Sequence, residues 1–446
     1  MIATSPPQLA QRFATVRAAT ETFCEPLVTE DYVVQSMADV SPTKWHLAHT
    51  TWFWETFVLR PHAPGYRLYD EAYPFLFNSY YVQAGERHCR AQRGYLSRPT
   101  VEEVFAYRRH VTDAMSAFLE AFDEARQPDV ADVIEVGLHH EQQHQELMVT
   151  DLKHVFSVNP LRPVYRERPH DPAPPVAPLG WVPFEAGLHE LGFSARSETS
   201  AGRFHFDNEG PRHRQFVEAF QLADRLVTAG EYQAFMDDGG YARPELWLSL
   251  GWATVEAEGW SEPFYWERRD ADGAPGWWHF TLAGMRPVDP NEPITHLSYF
   301  EADAYARWAG ARLPSEAEWE VAAQSVWSER ELAAGSWAET GRFHPAPDAP
   351  DLDASSGDGA PPALRPRQMF GQGWQWTHSQ YSPYPGYRPV EGALGEYNGK
   401  FMANQFVLRG GSPATSRTHI RPTYRNFFPP DATWQFTALR LARTPR

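Results

Sequence analysis

Two histidines, His140 and His144, stand four residues apart in a stretch whose residue pattern is helical. From Asp129 to Phe156 the chain has no proline and a single glycine, Gly137, and Asp129 is placed to cap a helix. Side chains four residues apart lie on one helix face, one turn from each other. That spacing suits two imidazoles that share a metal ion, so the sequence predicts a metal site on this helix.

Three interpretations of this stretch compete. The run His140-Glu141-Gln142-Gln143-His144 matches the H-E-x-x-H pattern of zinc peptidases, in which the glutamate is the general base. No third ligand of that class follows, because the chain soon becomes rich in proline. The second interpretation is a three-histidine iron site whose third ligand lies upstream. The third is a polar helix face, rich in histidine and glutamine, that binds no metal.

An upstream segment can supply the missing ligand. His46 and His49 lie three residues apart in an aromatic segment that begins with Ser41 and Pro42, a favourable helix start. A single histidine in an aromatic helix is usually a core residue. Two helices that each offer histidine favour a metal, because helix bundles build metal sites from side chains on facing helices.

The composition limits the class of protein. With 446 residues the chain should hold two or three domains, and its net charge of −17 argues against a nucleic-acid partner. Its two cysteines, Cys24 and Cys89, predict no disulfide framework and a cytoplasmic location. No basic-then-apolar leader and no apolar run of about 18 residues is evident, so we expect no membrane partner.

The first third of the chain is predicted to be helical. A capping box formed by Thr100 and Glu103 starts the third helix. Helices of this length predict an antiparallel four-helix bundle over residues 1–157, with one irregular, aromatic connection over 60–99. The predicted helices are Pro6–Phe23, Pro42–Leu59, Thr100–Phe122 and 129–156.

The remainder has a different character. Residues 158–180 contain seven prolines and predict a semi-rigid linker. From Trp181 to Arg446, short alternating segments and turn residues predict a second domain with little regular structure, which makes the whole chain α+β. Its predicted elements are strands at Val217–Ala223, Phe406–Ser412 and Phe436–Ala442, helices at Thr228–Met236, Tyr299–Ala309 and after the cap residue Ser315, and a mobile loop at 345–366.

The motifs together resemble one family. In order along the chain they are Trp45-His46-Leu47-Ala48-His49, His140-Glu141-Gln142-Gln143-His144, Ile294-Thr295-His296-Leu297-Ser298, Arg312-Leu313-Pro314-Ser315-Glu316, Arg409-Gly410-Gly411-Ser412 and Leu439-Arg440-Leu441-Ala442. This order resembles the EgtB-like sulfoxide synthases of ergothioneine biosynthesis, which are hercynine-dependent non-haem iron enzymes. The resemblance covers nearly the whole chain. It implies a DinB-like bundle followed by a formylglycine-generating-enzyme-like domain with a C-type-lectin-like core.

The resemblance also implies the metal site. His49, His140 and His144 would bind Fe(II), with O₂ as co-substrate, and His46 would not be a ligand. Three neutral imidazoles leave coordination positions where a substrate imidazole, a thiolate and O₂ can lie side by side. Gln143 would help to hold the imidazole of hercynine, which is Nα-trimethylhistidine.

Further substrate contacts follow from the same resemblance. Asn426 and Phe427 would lie near the trimethylammonium group, for which aromatic faces are suited, and Phe428 would follow them in the substrate site. Arg87 and Arg90 are candidates to hold a carboxylate.

The reduction of O₂ needs a nearby proton donor, and the adjacent pair Tyr80 and Tyr81 is the candidate. Both lie in the long connection that we expect to cover the site. The alternative is that this aromatic pair only packs.

The sequence departs from the family pattern at two places. The first is Gly371-Gln372-Gly373-Trp374-Gln375-Trp376, in which two polar residues of the family pattern are replaced by other residues. The second is Phe428 and Ala432, which stand where the branch that uses γ-glutamylcysteine has an Asp and an Arg. We therefore expect a smaller thiol, cysteine, as the donor. The alternatives are a selenoneine synthase that joins a selenosugar to hercynine, an ovothiol-type enzyme that uses histidine, and a non-catalytic ligand-binding protein.

Overall fold

The computed structural model describes residues 6–169, 172–194, 204–271, 274–348 and 364–445. The chain divides into two compact units. The helical unit comprises Met1–Tyr165, Phe193–Gly210 and Gly386–Lys400, and the mixed unit comprises Arg166–Gly192, Pro211–Pro385 and Phe401–Arg446. The predicted domain boundaries, at 1–157, 158–180 and 181–446, stay a prediction.

The four predicted long helices are confirmed in the helical unit. The Thr100–Glu103 capping box is present, with Glu103 N donating to Thr100 Oγ1 at 3.2 Å and Thr100 N donating to Glu103 Oε2 at 2.7 Å. The helices of the unit are α1 Pro6–Thr22, α2 Thr43–Trp54, the short α3 Arg60–His62 and α4 Tyr73–Phe77, then α5 Val101–Glu120 and α6 Pro128–Val158. Helix α2 continues into a π-helical turn, Glu55–Leu59. The second predicted helix therefore ends where it is expected to end, but its last turn is π-helical instead of α-helical.

The predicted cap of α6 is wrong. The helix begins at Pro128, its N-cap residue is Gln127, and no side chain makes a capping hydrogen bond there. Proline is favoured at the first helical position because its missing N–H would have no partner inside the helix. Asp129 therefore lies within the first turn instead of before it.

One buried carboxylate links the four long helices. Glu141 of α6 accepts hydrogen bonds from Arg108 Nη2 of α5 at 2.7 Å and from Trp54 Nε1 of α2 at 2.9 Å. From α1 it accepts bonds from Thr20 Oγ1 at 2.8 Å and Arg17 Nη1 at 3.1 Å. Burial alone would raise the pKa of Glu141, but the two guanidinium groups outweigh it and hold this pKa well below its ordinary value. The carboxylate therefore stays charged and paired inside the bundle.

Gly137 sets the distance between α2 and α6. A Cβ atom at this position would lie 2.6 Å from Trp54 Cη2 and 3.0 Å from Phe53 Cε1, closer than real contacts allow. The Phe53 ring in turn stacks on His140, with ring centroids 4.6 Å apart. A glycine inside a helix costs about 1 kcal/mol relative to alanine. Here its missing side chain leaves the space that these two aromatic rings occupy.

The mixed unit combines short helices with several small sheets. Its helices are α7 Ala229–Asp237, α8 Ser249–Glu258, α9 Tyr299–Trp308, α10 Glu316–Val326 and α11 Glu329–Ala333. Its strands are β1 Trp181–Phe184, β2 Gly187–Leu191, β3 His213–Val217, β4 Phe220–Ala223, β5 Trp266–Ala271, β6 Ala274–Thr281, β7 Gly284–Pro287, β8 Trp374–Gln380, β9 Phe406–Arg409, β10 Asn426–Phe428, β11 Thr437–Ala438 and β12 Ala442–Arg443. The strand orders are β1-β4-β12, β10-β9-β8-β11, β2-β3 and β5-β6-β7. The predicted α+β class is confirmed.

Several predictions for the mixed unit are confirmed and two are wrong. The helices capped by Thr228, Ser298 and Ser315 are present, each with a capping box. Val217–Ala223 is not one strand, because β3 ends at Val217 and β4 starts at Phe220. Phe436–Ala442 likewise divides between β11 and β12. Most of the predicted loop, residues 349–363, lies outside the described residues. Within the described ranges, no helix is both long enough and apolar enough to cross a bilayer.

Replacing Glu141 by alanine should lower the free energy of unfolding of the helical unit by about 3–5 kcal/mol, because Arg17 would stay buried without a counter-charge and Arg108 would keep only the exposed Glu21. Hydrogen exchange of peptides from α5 and α6 in the full chain measures this loss. The control is Glu135→Ala, which removes the more exposed Arg12–Glu135 pair and should cost less than about 1 kcal/mol. An equal loss in the two variants would contradict the proposed dependence on Glu141.

Candidate metal centre

The structure brings the three predicted ligands together. His49 of α2 and His140 and His144 of α6 are buried, and one ligand atom from each lies within 4.8 Å of the others. The closest pair, His49 Nε2 and His140 Nε2, is 3.1 Å apart. The three imidazole rings pack with centroid distances of 4.6–4.9 Å. Two facing helices thus direct three imidazoles at one point.

The surroundings keep these imidazoles neutral. Burial lowers the pKa of His140 to about 3. Burial, followed by the neighbouring imidazoles, holds the pKa values of His49 and His144 well below the ordinary histidine value. A neutral imidazole offers a nitrogen lone pair, which is the form that binds metals.

Hydrogen bonds fix which nitrogen of two ligands faces the centre. His49 Nδ1 donates to the Phe77 carbonyl oxygen at 2.6 Å, which leaves Nε2 with the lone pair. His144 Nδ1 lies 3.0 Å from His46 Nδ1, and His46 Nε2 lies 2.9 Å from Asp151 Oδ2. A carboxylate only accepts, so His46 Nε2 carries the hydrogen and its Nδ1 accepts from His144. Both nitrogens of His46 are thus used in hydrogen bonds, one of which orients His144, and the expectation that His46 is not a ligand stays a prediction.

The donor set fits a metal ion. His140 Nδ1 has no hydrogen-bond partner among the described residues, although it is fully buried. Either tautomer of His140 leaves one of its polar groups unpaired, and such a group is costly in a protein interior. Three neutral imidazoles whose lone pairs converge are a ligand set for iron, zinc or copper. Bound to these residues, a divalent ion would use the converging nitrogens.

The zinc-peptidase interpretation is wrong. It requires Glu141 to act as a general base beside the metal. Glu141 instead faces the opposite interior of the bundle, where Arg17, Arg108, Thr20 and Trp54 bind its oxygens. A carboxylate held in this way has no free oxygen at the imidazole cluster.

Gln143 contacts a tyrosine that the sequence did not single out. Tyr397, which belongs to the helical unit, donates a hydrogen bond to Gln143 Oε1. Its ring centroid lies 6.0 Å from that of His140 and 6.4 Å from that of Tyr81. More than 250 residues separate Tyr397 from Gln143, and no local motif marks it, so only the fold reveals it.

One aromatic ring separates the predicted proton donors from the histidine cluster. Tyr80 and Tyr81 stack with centroids 4.6 Å apart, and Tyr81 packs at 5.6 Å on Trp52, which stacks on His49 at 5.5 Å. Burial raises the pKa of both hydroxyls above the ordinary tyrosine value. Both tyrosines therefore keep their protons at neutral pH.

The two candidate arginines lie on the surface, and their role as a carboxylate clamp stays a prediction. Arg87 and Arg90 are exposed, and Arg90 donates to the carbonyl oxygen of Asp39. The next arginine, Arg93, is buried, with its guanidinium 3.3 Å above the ring of Trp45. Trp45 stacks on the ligand His49 with centroids 4.5 Å apart.

Arg93 donates to two hydroxyls, Ser41 Oγ at 2.8 Å and Ser79 Oγ at 3.1 Å. No carboxylate of the described residues pairs with it, and burial lowers its pKa well below the ordinary arginine value. Arginine recurs every three residues at Arg87, Arg90 and Arg93, which makes Arg93 a candidate as well. The sequence does not show which of the three is buried.

The predicted hercynine-binding residues of the mixed unit form a half-buried strand. Asn426, Phe427 and Phe428 make up β10 and pair with β9. The Phe427 ring stacks on Tyr381 with centroids 4.1 Å apart. Ala432 is buried. The role of this strand in substrate binding stays a prediction.

Comparisons with known proteins agree with this architecture. Residues 180–445 match the sulfatase-modifying factor enzyme 1-like domain, and residues 12–148 match the DinB superfamily. A hercynine oxygenase of Mycolicibacterium thermoresistibile is 33% identical over 90% of this chain and 87% of its own length. A hercynine oxygenase of Mycobacterium tuberculosis is 32% identical over 98% of this chain and 99% of its own. A formylglycine-generating enzyme of Streptomyces coelicolor is 31% identical over 46% of this chain and 71% of its own.

The helical region, the three-histidine cluster and the second domain define an oxidoreductase of the sulfoxide-synthase type. The chain belongs to the hercynine oxygenase family, as its sequence resemblance predicts. This membership implies an iron-dependent enzyme that acts on small molecules.

Replacing His46 by alanine should weaken Fe(II) binding by about 10–100-fold, because His144 would lose the hydrogen bond that orients it. Anaerobic titration of the metal-depleted chain with Fe(II) measures this affinity. Asp151→Asn should weaken binding in the same direction, and His49→Ala should abolish it. If His46→Ala abolishes binding as completely as His49→Ala, His46 is itself a ligand. If its affinity is unchanged, His46 does not position His144.

Proposed function

We propose that this enzyme joins the sulfur of a small thiol to the imidazole ring of hercynine, with Fe(II) and O₂, in ergothioneine biosynthesis. The observation that carries the proposal is the buried three-histidine cluster in a chain of the hercynine oxygenase family. The bonds to hydrogen on the thiol and on the ring carbon are broken and a C–S bond forms. One oxygen atom of O₂ becomes the sulfoxide oxygen and the other leaves as water.

His49, His140 and His144 hold the metal. Bound Fe(II) supplies the reduction of O₂ and a coordination position that favours the thiolate over the thiol. Gln143 follows on the same helix, one residue before His144, and we propose that its amide orients the hercynine imidazole. The hydrogen bond from Tyr397 to Gln143 Oε1 fixes that amide, because the tyrosine hydroxyl can only donate to the carbonyl end.

Tyr397 is the best-placed proton donor among the tyrosines of the helical unit. Its hydroxyl reaches the residue adjacent to a ligand, and its ring lies 6.0 Å from His140. Tyr81 is separated from His49 by the Trp52 ring. We therefore assign the proton to Tyr397, with Tyr80 and Tyr81 as the alternative.

Arg93 is suited to the donor's carboxylate. A buried guanidinium that contacts two hydroxyls and an aromatic ring gains from an anionic ligand, because none of these partners neutralises its charge. Phe428 and Ala432 offer no charge for a glutamyl group. Cysteine, which carries one carboxylate, is therefore the proposed donor.

The departures at Gln372 and Gln375 have a structural explanation. Gln375 Oε1 accepts from Trp319 Nε1 at 2.9 Å and from Arg440 Nε at 2.8 Å inside the mixed unit. Gln372 Oε1 accepts from Ala346 N at 2.7 Å. Both amides are used in packing this unit, so they do not favour a selenium donor over a sulfur donor. The selenosugar-using and ovothiol-type reactions remain alternative outcomes of the assay.

Tyr397→Phe should slow C–S bond formation by about 10²–10⁴-fold, since it keeps the ring and removes only the donor hydroxyl. Rapid-mix kinetics of the iron-loaded enzyme with hercynine and cysteine measures the rate, and mass analysis measures the ratio of C–S product to oxidised thiol. Tyr80→Phe and Tyr81→Phe are the matched variants and should change the rate much less. A wild-type rate in Tyr397→Phe together with a slow Tyr81→Phe would assign the proton to the earlier pair.

Cysteine should be consumed well ahead of γ-glutamylcysteine when both thiols are present at equal concentration with hercynine, Fe(II) and O₂. Hercynine should be used far ahead of histidine, because aromatic faces reward the trimethylammonium group. The enzyme is loaded with Fe(II) and substrates without oxygen and is then exposed to O₂. Mass analysis of the products measures both preferences. Arg93→Lys keeps the charge but loses the fork geometry, so it should raise KM for cysteine more than it lowers kcat.

A preference for γ-glutamylcysteine would contradict the donor assignment. Turnover of a selenosugar without turnover of cysteine would assign the selenoneine reaction. Turnover of neither donor class with hercynine would contradict the proposed function itself.

A further inference from the structure

A second cluster of metal-ligand side chains lies in the mixed unit. One ligand atom each from His279, Glu292 and His344 lies within 4.8 Å of the others. Glu292 and His344 are buried and His279 is half-buried. All three residues belong to the mixed unit, whereas His49, His140 and His144 belong to the helical unit.

Each member of the cluster is held by its own part of the fold. His279 lies on β6, the central strand of its sheet, where it pairs with Trp266 of β5 and Arg286 of β7. The backbone of Glu292 is fixed to α7, because its carbonyl oxygen accepts from Ala229 N at 2.8 Å. His344 follows Phe343, whose ring is buried. The cluster therefore joins β6 and the nearby segment of Glu292 to the segment of His344, which lies 52 residues after Glu292.

The groups have the chemistry of a zinc site. His344 Nε2 lies 2.7 Å from Glu292 Oε2, and the His279 and His344 rings meet edge-to-face with centroids 5.4 Å apart. A glutamate is ordinarily a carboxylate at neutral pH. Two imidazoles with one carboxylate, and a fourth position left for water, form a well-known zinc ligand set.

The distances need only a small adjustment. Ligand atoms around a tetrahedral zinc ion are about 3.4 Å apart, given bonds of about 2.0–2.1 Å. The His344–Glu292 contact of 2.7 Å would open by less than 1 Å, and one ligand nitrogen of the half-buried His279 already lies within 4.8 Å of both partner atoms. Arg342 Nη2 lies 3.7 Å from the other carboxylate oxygen, beyond hydrogen-bond distance, and is one-third exposed, so it can turn toward solvent.

We propose that His279, Glu292 and His344 form a second metal site, which binds Zn²⁺ and ties β6 to the segments that carry Glu292 and His344. This site is independent of the proposed reaction. The simpler alternative is a hydrogen-bonded pair of Glu292 and His344 with a neighbouring imidazole. The two arrangements differ in zinc binding, which only the metal site predicts.

The test uses the full chain, depleted of metal with a chelator, and Zn²⁺ alone as the probe. His140→Ala/His144→Ala removes the first cluster, and zinc bound per chain is measured by calorimetry and elemental analysis. The wild-type chain should bind about two equivalents and this double variant about one. Addition of Zn²⁺ to the double variant should also raise its Tm, because a ligand that binds only the folded state stabilises it.

Glu292→Gln, made in the double variant, should abolish the remaining zinc binding and the rise in Tm. His279→Asn gives the same test at a half-buried position, should Glu292→Gln fail to fold. His378→Asn is the matched control, since His378 is an exposed histidine on β8 outside the cluster, and it should leave both readouts unchanged. The proposal is wrong if the double variant binds no zinc, or if its zinc survives both Glu292→Gln and His279→Asn.

Discussion

A single buried charge organises the helical unit. Helix α6 must place a charged carboxylate and two neutral imidazoles in the same bundle, and these groups need opposite surroundings. The structure separates them by helix geometry, because the consecutive residues His140 and Glu141 point about 100° apart around the helix axis. Glu141 enters a pocket that contains two guanidinium groups, and His140 enters one lined by aromatic rings. Pairing Glu141 with the two guanidinium groups on one side keeps this carboxylate away from the three clustered imidazoles.

The metal cluster depends on a second set of polar contacts that start from backbone and carboxylate groups. His49 is oriented by a backbone carbonyl, and His144 is oriented through His46 by Asp151. Asp151 also accepts a hydrogen bond from Ser41 N at 2.8 Å, just before α2 begins. The carboxylate that orients a ligand on α6 therefore also fixes the start of the helix that carries the third ligand. One side chain thus couples the relative position of the two helices to the orientation of an imidazole.

Local sequence patterns were sufficient for the long helices and for the pair His140 and His144, whereas the choice of His49 over His46 came from the family resemblance. The capping boxes at Thr100, Thr228 and Ser315 depend only on residues three apart, and the histidine spacing depends only on helix periodicity. The breaks between β3 and β4 and between β11 and β12 could not be predicted from the sequence. The paired strands of this unit are short, and their partners are distant in sequence.

Contacts between distant parts of the chain were also hidden from the sequence. Arg17 and Arg108 contact Glu141 although each is more than 30 residues from it in sequence. Tyr397 contacts Gln143 across more than 250 residues. The burial of Arg93 instead of Arg90 depends on where the connection between α2 and α5 passes over Trp45. Local spacing carries no information about any of these.

The close approach at Gly137 restricts how this protein can change over generations. Every other amino acid would place an atom within 3.0 Å of the Trp54 ring, and the neighbouring Phe53 ring supports His140. A lineage can therefore exchange exposed residues such as Asp129 and Asp132 at the start of α6, yet a single methyl group added one turn before His140 would disturb the histidine cluster. Gly137 has no side chain that can react, yet it is among the residues of α6 that tolerate the fewest substitutions.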